Sequence, residues 1–188
     1  MINSQKKYDW LFIGTLAFFS LGMVHIIFSW LGVICMVTPF IMAARSGKKP
    51  WCTTPYCPRA HFFTRFLNRY SLKKKAPEGL FSEKTKQLVL RLFCINLFFA
   101  SMSTLMVYLG RLEPMLYVRF LMAFPMPFDL PQLLELNLPQ FLVHVSYRLY
   151  SIMFTSTIIG VGLGLIYKPR TWCGICPIQT LTTVKNIH

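Results

Sequence analysis

Three long apolar stretches divide the chain, over 10–44, 87–110 and 141–167. Their length and low charge predict membrane-spanning helices. The first, about 35 residues, would reach roughly 52 Å as one helix, against a hydrocarbon core of about 30 Å. A tight hairpin of two short spans, 10–27 and 29–44, is the simpler reading, turning near His25, Ser29 and Gly32. A single long helix kinked at Pro39 is the alternative. Between the second and third stretches, residues 111–140 hold Pro114, Pro125, Pro127, Pro131 and Pro139. They cannot form one helix, yet they stay apolar, so they are expected to lie on or dip into the outer membrane face. In the polar stretch 45–86, His61, Phe62, Phe63, Phe66, Leu67 and Tyr70 alternate with Arg59, Arg65 and Arg69. This predicts a short amphipathic helix lying at the membrane interface, with His61 toward the headgroups. The run Gly160-x-Gly162-x-Gly164 offers a smooth surface for helix packing, not a phosphate loop. The predicted fold is all-α: a polytopic membrane bundle of about four spans with a proline-rich extracytoplasmic segment, in one domain over 1–188.

Composition agrees. The 188 residues are 54% hydrophobic and 15% aromatic, far from the usual soluble domain. The net charge of +14 is unevenly placed. Of 20 Lys and Arg, 12 lie from Arg45 to Arg91, against Glu78 and Glu83. Lys6 and Lys7 precede the first apolar stretch; Lys168, Arg170 and Lys185 follow the last. The positive-inside rule then puts both termini and the loops 45–86 and 168–188 in the cytoplasm, in the inner membrane of a bacterium or archaeon. Basic residues that flank spans in this way argue for a lipid contact and against nucleic acid. No small-residue cleavage site follows the first apolar run, so no cleavable signal peptide is expected.

The cysteines add chemistry. One pair lies in Trp51-Cys52-Thr53-Thr54-Pro55-Tyr56-Cys57-Pro58, the other in Trp172-Cys173-Gly174-Ile175-Cys176-Pro177. Both lie just past the cytoplasmic end of a span, after Lys or Arg, whose charge favours thiolate. In a reducing cytoplasm four such cysteines are metal ligands sooner than disulfides. Cys52, Cys57, Cys173 and Cys176 supply the four thiolates of a [4Fe–4S] cluster or a tetrahedral zinc. A thioredoxin-like dithiol would need a βαβ context, which is missing. Cys35 and Cys94 lie inside spans and are read as packing residues.

Gly47-Lys48-Lys49-Pro50-Trp51-Cys52, closed by Cys57-Pro58, and the segment from Arg170 through Cys173, Cys176 and Pro177 to Leu181 resemble the membrane-integral polyferredoxin-type proteins. These include the quinol dehydrogenase membrane subunits of periplasmic nitrate reduction. The resemblance implies four spans, two cytoplasmic cysteine motifs holding iron and sulfur, and electron transfer with a quinone. The spacings here depart from the family's three intervening residues, with four in the first pair and two in the second. Relatives often carry a further ferredoxin domain after the last span; a separate iron–sulfur subunit on the cytoplasmic side is expected to take that place.

Other residues are weaker candidates. His144, Tyr147 and Arg148 fall on one helical turn and could hydrogen-bond a quinone carbonyl. His25 and His144 could in principle hold a haem b, but polar tips or helix–helix hydrogen bonds are the preferred reading. Lys73, Lys74 and Lys75, before a Pro77–Gly79 turn, could dock an acidic redox partner. No catalytic acid, base or nucleophile constellation is visible, so catalysis would belong to a complex. The expected function is an electron-transfer subunit linking a quinone pool to a partner protein. The alternatives are a zinc-stapled membrane anchor for a soluble redox enzyme and a metallocentre assembly factor.

Overall fold

A computed structural model describes residues 9–46, 57–121, 124–126, 130–134 and 136–184. The chain is mostly helical. The helices among the described residues are α1 (Phe12–Val24), α2 (Leu31–Ser46), α3 (Pro58–Leu67), α4 (Glu83–Tyr108), α5 (Gln140–Ile166), α6 (Thr171–Ile175) and α7 (Pro177–Val184). A two-residue antiparallel ladder, β1 (Arg119–Phe120) with β2 (Phe124–Pro125), interrupts the proline-rich stretch. Only α4 and α5 are long and apolar enough to cross a membrane, among the described residues. The apolar window of α4 is 6% buried, so its Leu92, Ile95, Phe98, Phe99 and Leu105 face outward. That of α5 is 44% buried, which makes α5 the packing centre.

The first apolar stretch is not one helix. The chain breaks at His25, whose extended backbone ends α1 and whose Nδ1 accepts from the Ile27 N–H at 3.1 Å, capping the 3-10 turn Ile26–Trp30. Pro39, fully buried, lies within α2 without breaking it. Helices of 13 and 16 residues stand where spans of 18 and 16 were expected. Helices of these lengths reach about 20 and 24 Å, short of a full hydrocarbon core.

The described residues fall into two compact units. Unit one holds the described residues of 9–16, 35–46, 57–92 and 157–184. Its core is Phe63, Leu67, Trp172 and Ile175. Here α3 packs by small-residue contact: an added Cβ at Gly160 would lie 2.4 Å from Phe63 Cζ, and one at Gly164 2.6 Å from Leu67 Cδ1. The helix expected to lie alone at the interface therefore buries Ala60, His61, Phe63 and Leu67 against protein. The headgroup position read for His61 gives way to burial, because the helix's apolar face finds α5. The last carbonyls of α5 would be orphaned. The extended segment after α3 caps them: Leu72 N–H donates to Leu165 O at 2.8 Å, and Lys74 N–H to Ile166 O at 3.3 Å. Ser71 Oγ donates to Tyr167 O at 2.7 Å.

Unit two holds 17–34 and the described residues within 93–156. Its core is Ile26, Met115, Val118, Leu130, Tyr147 and Tyr150. Tyr150 stacks on Phe18 and on Phe154, with ring centroids 5.9 and 6.3 Å apart. The break at His25 is sealed from the proline-rich stretch: Gln132 Oε1 accepts the Ile26 N–H at 2.7 Å, and Val24 O accepts the N–H groups of Leu133 and Leu134, each at 3.1 Å.

Candidate metal centre

The Cys-Pro dipeptides build the same local device twice. Cys57 is the N-cap of α3 with Pro58 as its first residue. Cys176 precedes Pro177, the first residue of α7. Proline forces its predecessor extended and suits the first helical position, where its missing N–H costs nothing. Both cysteines are extended, at φ −80°, ψ 109° and φ −60°, ψ 128°. Each carbonyl accepts the amide four residues on, from His61 at 3.3 Å and Thr180 at 3.0 Å. The sulfurs thus sit at the positive ends of two helices. The third-residue amides, of Ala60 and Gln179, face them and favour the thiolate. At Cys57 the Ala60 amide does so without the geometry of a capping hydrogen bond.

Burial works the other way. It pushes the Cys57 thiol up to about 12, with the neighbouring Cys173 and Cys35 adding to the rise and Arg59 opposing it. Burial also raises Cys176, against the amides of Gln179 and Ile178 and the charge of Arg59, with Cys173 again raising it. Cys173 therefore lies within electrostatic reach of both other thiols, and Arg59 of two. Arg170 Nε donates to Thr64 Oγ1 at 3.2 Å, tying the second motif to α3. Thr171 holds the turn into α6, its Oγ1 donating to Lys168 O at 2.8 Å and accepting the Lys168 N–H at 3.1 Å. Trp172 is buried beside Phe63 in the unit-one core.

The chemistry of the donors fits an iron–sulfur or zinc ligand set: one buried and two half-buried thiols, two helix N-termini and a cationic neighbour. Cys52 lies outside the described residues. Among the described residues no three or more of His, Cys, Asp and Glu stand together as a metal-ready group. Cys35 was read as packing, yet it lies close enough to raise the Cys57 pKa. Its placement depends on where α2 returns, which no local motif encodes. Cys94 is exposed on α4.

The three residues read as a quinone site are not equivalent. His144 is buried, and both ring nitrogens are engaged: Nδ1 accepts the Met115 N–H at 3.0 Å and Nε2 pairs with Ser103 Oγ at 3.0 Å. It locks the proline-rich stretch to α4 and α5. Both of its ring nitrogens are thus hydrogen-bonded within the protein, and His25 Nδ1 accepts as a cap. Tyr147 belongs to the unit-two core. Arg148 lines a small cleft with Asn96, Arg119, Ser151, Ile152 and Thr155. Lys73, Lys74 and Lys75 are exposed, in a segment anchored by Ser71, Leu72 and the Lys74 amide; Lys73 has φ 51°. Compared with known protein families, curated proteins and solved structures, the chain matches none.

Proposed function

We propose that the chain is an integral membrane iron–sulfur subunit that passes electrons between a quinone pool and a cytoplasmic redox protein. The observation that carries this reading is the repeated Cys-Pro helix start, which sets Cys57 and Cys176 at two helix N-termini with Cys173 electrostatically coupled to both. The resemblance to membrane-integral polyferredoxin-type proteins, drawn from the same motifs, supports it. Cys52, Cys57, Cys173 and Cys176 would hold one [4Fe–4S] cluster, which when bound supplies a one-electron step. Arg59, which favours the thiolate at Cys57 and Cys176, would offset part of the negative charge of the four ligands and bias the potential upward.

In this reading α4 and α5 span the membrane. The two shorter helices, α1 and α2, form a hairpin beside them, giving four traverses with both termini in the cytoplasm. Lys73, Lys74 and Lys75 would steer an acidic partner onto the cytoplasmic side.

The test is spectroscopic. Anaerobically purified wild type should show the electron paramagnetic resonance signal of a reduced cubane cluster. Cys173→Ser should lose it. Cys94→Ser, on the exposed face of α4, should keep it. A signal that survives Cys173→Ser rejects this ligand set.

A further inference from the structure

The second cysteine loop is too short to hold its own shape. Helix α6 is five residues long, and an isolated helix of that length does not persist in water. Part of it is fixed by burial: Trp172 and Ile175 belong to the unit-one core, and Cys173 is buried. Gly174, between the two cysteines, is half-buried, and a different element covers it. An added Cβ at Gly174 would lie 2.7 Å from Phe81 Cε1 and 3.0 Å from Phe81 Cδ1. The ring therefore rests on the glycine itself, an approach that no larger residue permits.

Phe81 is held in place by a built turn. It ends the 3-10 segment Glu78–Phe81, which follows Pro77. Leu80 N–H donates to Pro77 O at 3.0 Å, and Ser82 N–H to Gly79 O at 3.3 Å. Thr85 Oγ1 donates to Gly79 O at 2.7 Å, and Ser82 Oγ accepts the Thr85 N–H at 3.3 Å. These bonds join the turn to the start of α4. Leu80 packs against the same core that holds Trp172 and Ile175. Phe81 itself is 41% exposed, so it adds little to that core. A single exposed phenylalanine needs no explanation. An anchored one, seated on the glycine between two candidate ligands, does.

We infer that Phe81 is a positioning residue for the metal: by pressing on Gly174 it holds Cys173 and Cys176 at one spacing and slows the release of bound metal. The inference rests on the metal reading of the cysteines, and it applies to iron–sulfur and zinc alike. Pro177 fixes the chain at Cys176. Between the two cysteines lie Gly174 and Ile175. Ile175 is held by burial. Gly174 has the freest backbone of any residue type and no side chain by which to be held. Phe81 supplies the hold from outside. Groups that support ligands in this way commonly set metal affinity by about tenfold to a hundredfold.

The test uses the full chain purified anaerobically in detergent with the iron or zinc it retains. Loss of that metal to a chromogenic chelator is timed, and the absorption of the thiolate-bound metal is recorded alongside. Phe81→Ala should release metal at least about tenfold faster than wild type and shift the absorption. Gly174→Ala should do the same, because its methyl group displaces the exposed ring. The double variant should be no faster than the faster single one, since both changes remove one contact. Phe81→Tyr, which keeps the ring, should behave as wild type. So should Phe98→Ala, an exposed phenylalanine of α4. If Gly174→Ala fails to fold, Phe81→Ala against Phe81→Tyr decides, since exposure makes that position tolerant. Wild-type release from Phe81→Ala would overturn the inference and leave the ligand set standing. So would additive effects of the two single changes. A wild type that retains no metal would overturn the ligand set and the inference together.

Discussion

Gly160 and Gly162 are two residues apart, and their surroundings differ sharply. A Cβ at Gly160 would meet the buried Phe63 ring at 2.4 Å, while one at Gly162 would meet nothing within 4 Å. Gly160→Ala should therefore cost about 1–3 kcal/mol by overpacking. Gly162→Ala should be neutral or gain up to about 1 kcal/mol, since alanine is the better helix former. Denaturation of the two variants in one detergent checks both signs. Equal destabilisation would mean that Phe63 does not pack on α5. The glycine run was legible as a packing surface. Which glycines pack was not, because Phe63 and Leu67 lie about 100 residues earlier in the chain and no local pattern names them. The same limit hid the engagement of His144: its partners Ser103 and Met115 come from α4 and the stretch after it. Cys57 and Cys176 were legible because their device is local, one cysteine, one proline and the turn that follows.

Among the elements, α4 and α5 followed from apolar length alone, within a few residues at each end. A break in the first apolar stretch was legible near His25 and Ser29, whereas Gly32 falls inside α2. Its shortness was not, since the seal comes from Gln132. The proline-rich stretch could be excluded as a helix, but its course along α5 depends on backbone amides bonded by side chains at 144, 151 and 155, which read locally as ordinary span residues. The proposed arrangement makes two expectations. A reporter after His188 should read cytoplasmic and one near Asn137 extracytoplasmic, by the distribution of basic residues. A cytoplasmic reading near Asn137 would remove the four-traverse account. The segment from Ser71 to Lys74 caps α5, so Lys73, Lys74 and Lys75 can change without loss of the cap, which uses backbone groups. Replacing all three with Gln should slow association with the redox partner and flatten its salt dependence, leaving the cluster spectrum unchanged. Equal transfer rates at low salt would reduce these lysines to lipid and orientation contacts.

For the whole molecule, the central proposal is that two loops far apart in sequence close on a single cluster. Burial outweighs the helix ends and Arg59 at Cys57 and Cys176 and raises both free thiols. Loading must therefore release protons, and it should weaken as pH falls, since the thiols compete for them more strongly than exposed cysteines would. The measurement that tests the claim most directly is iron and acid-labile sulfide in anaerobically purified wild type. The account predicts about four of each per chain, the content of one cubane. One zinc per chain with no sulfide would contradict it.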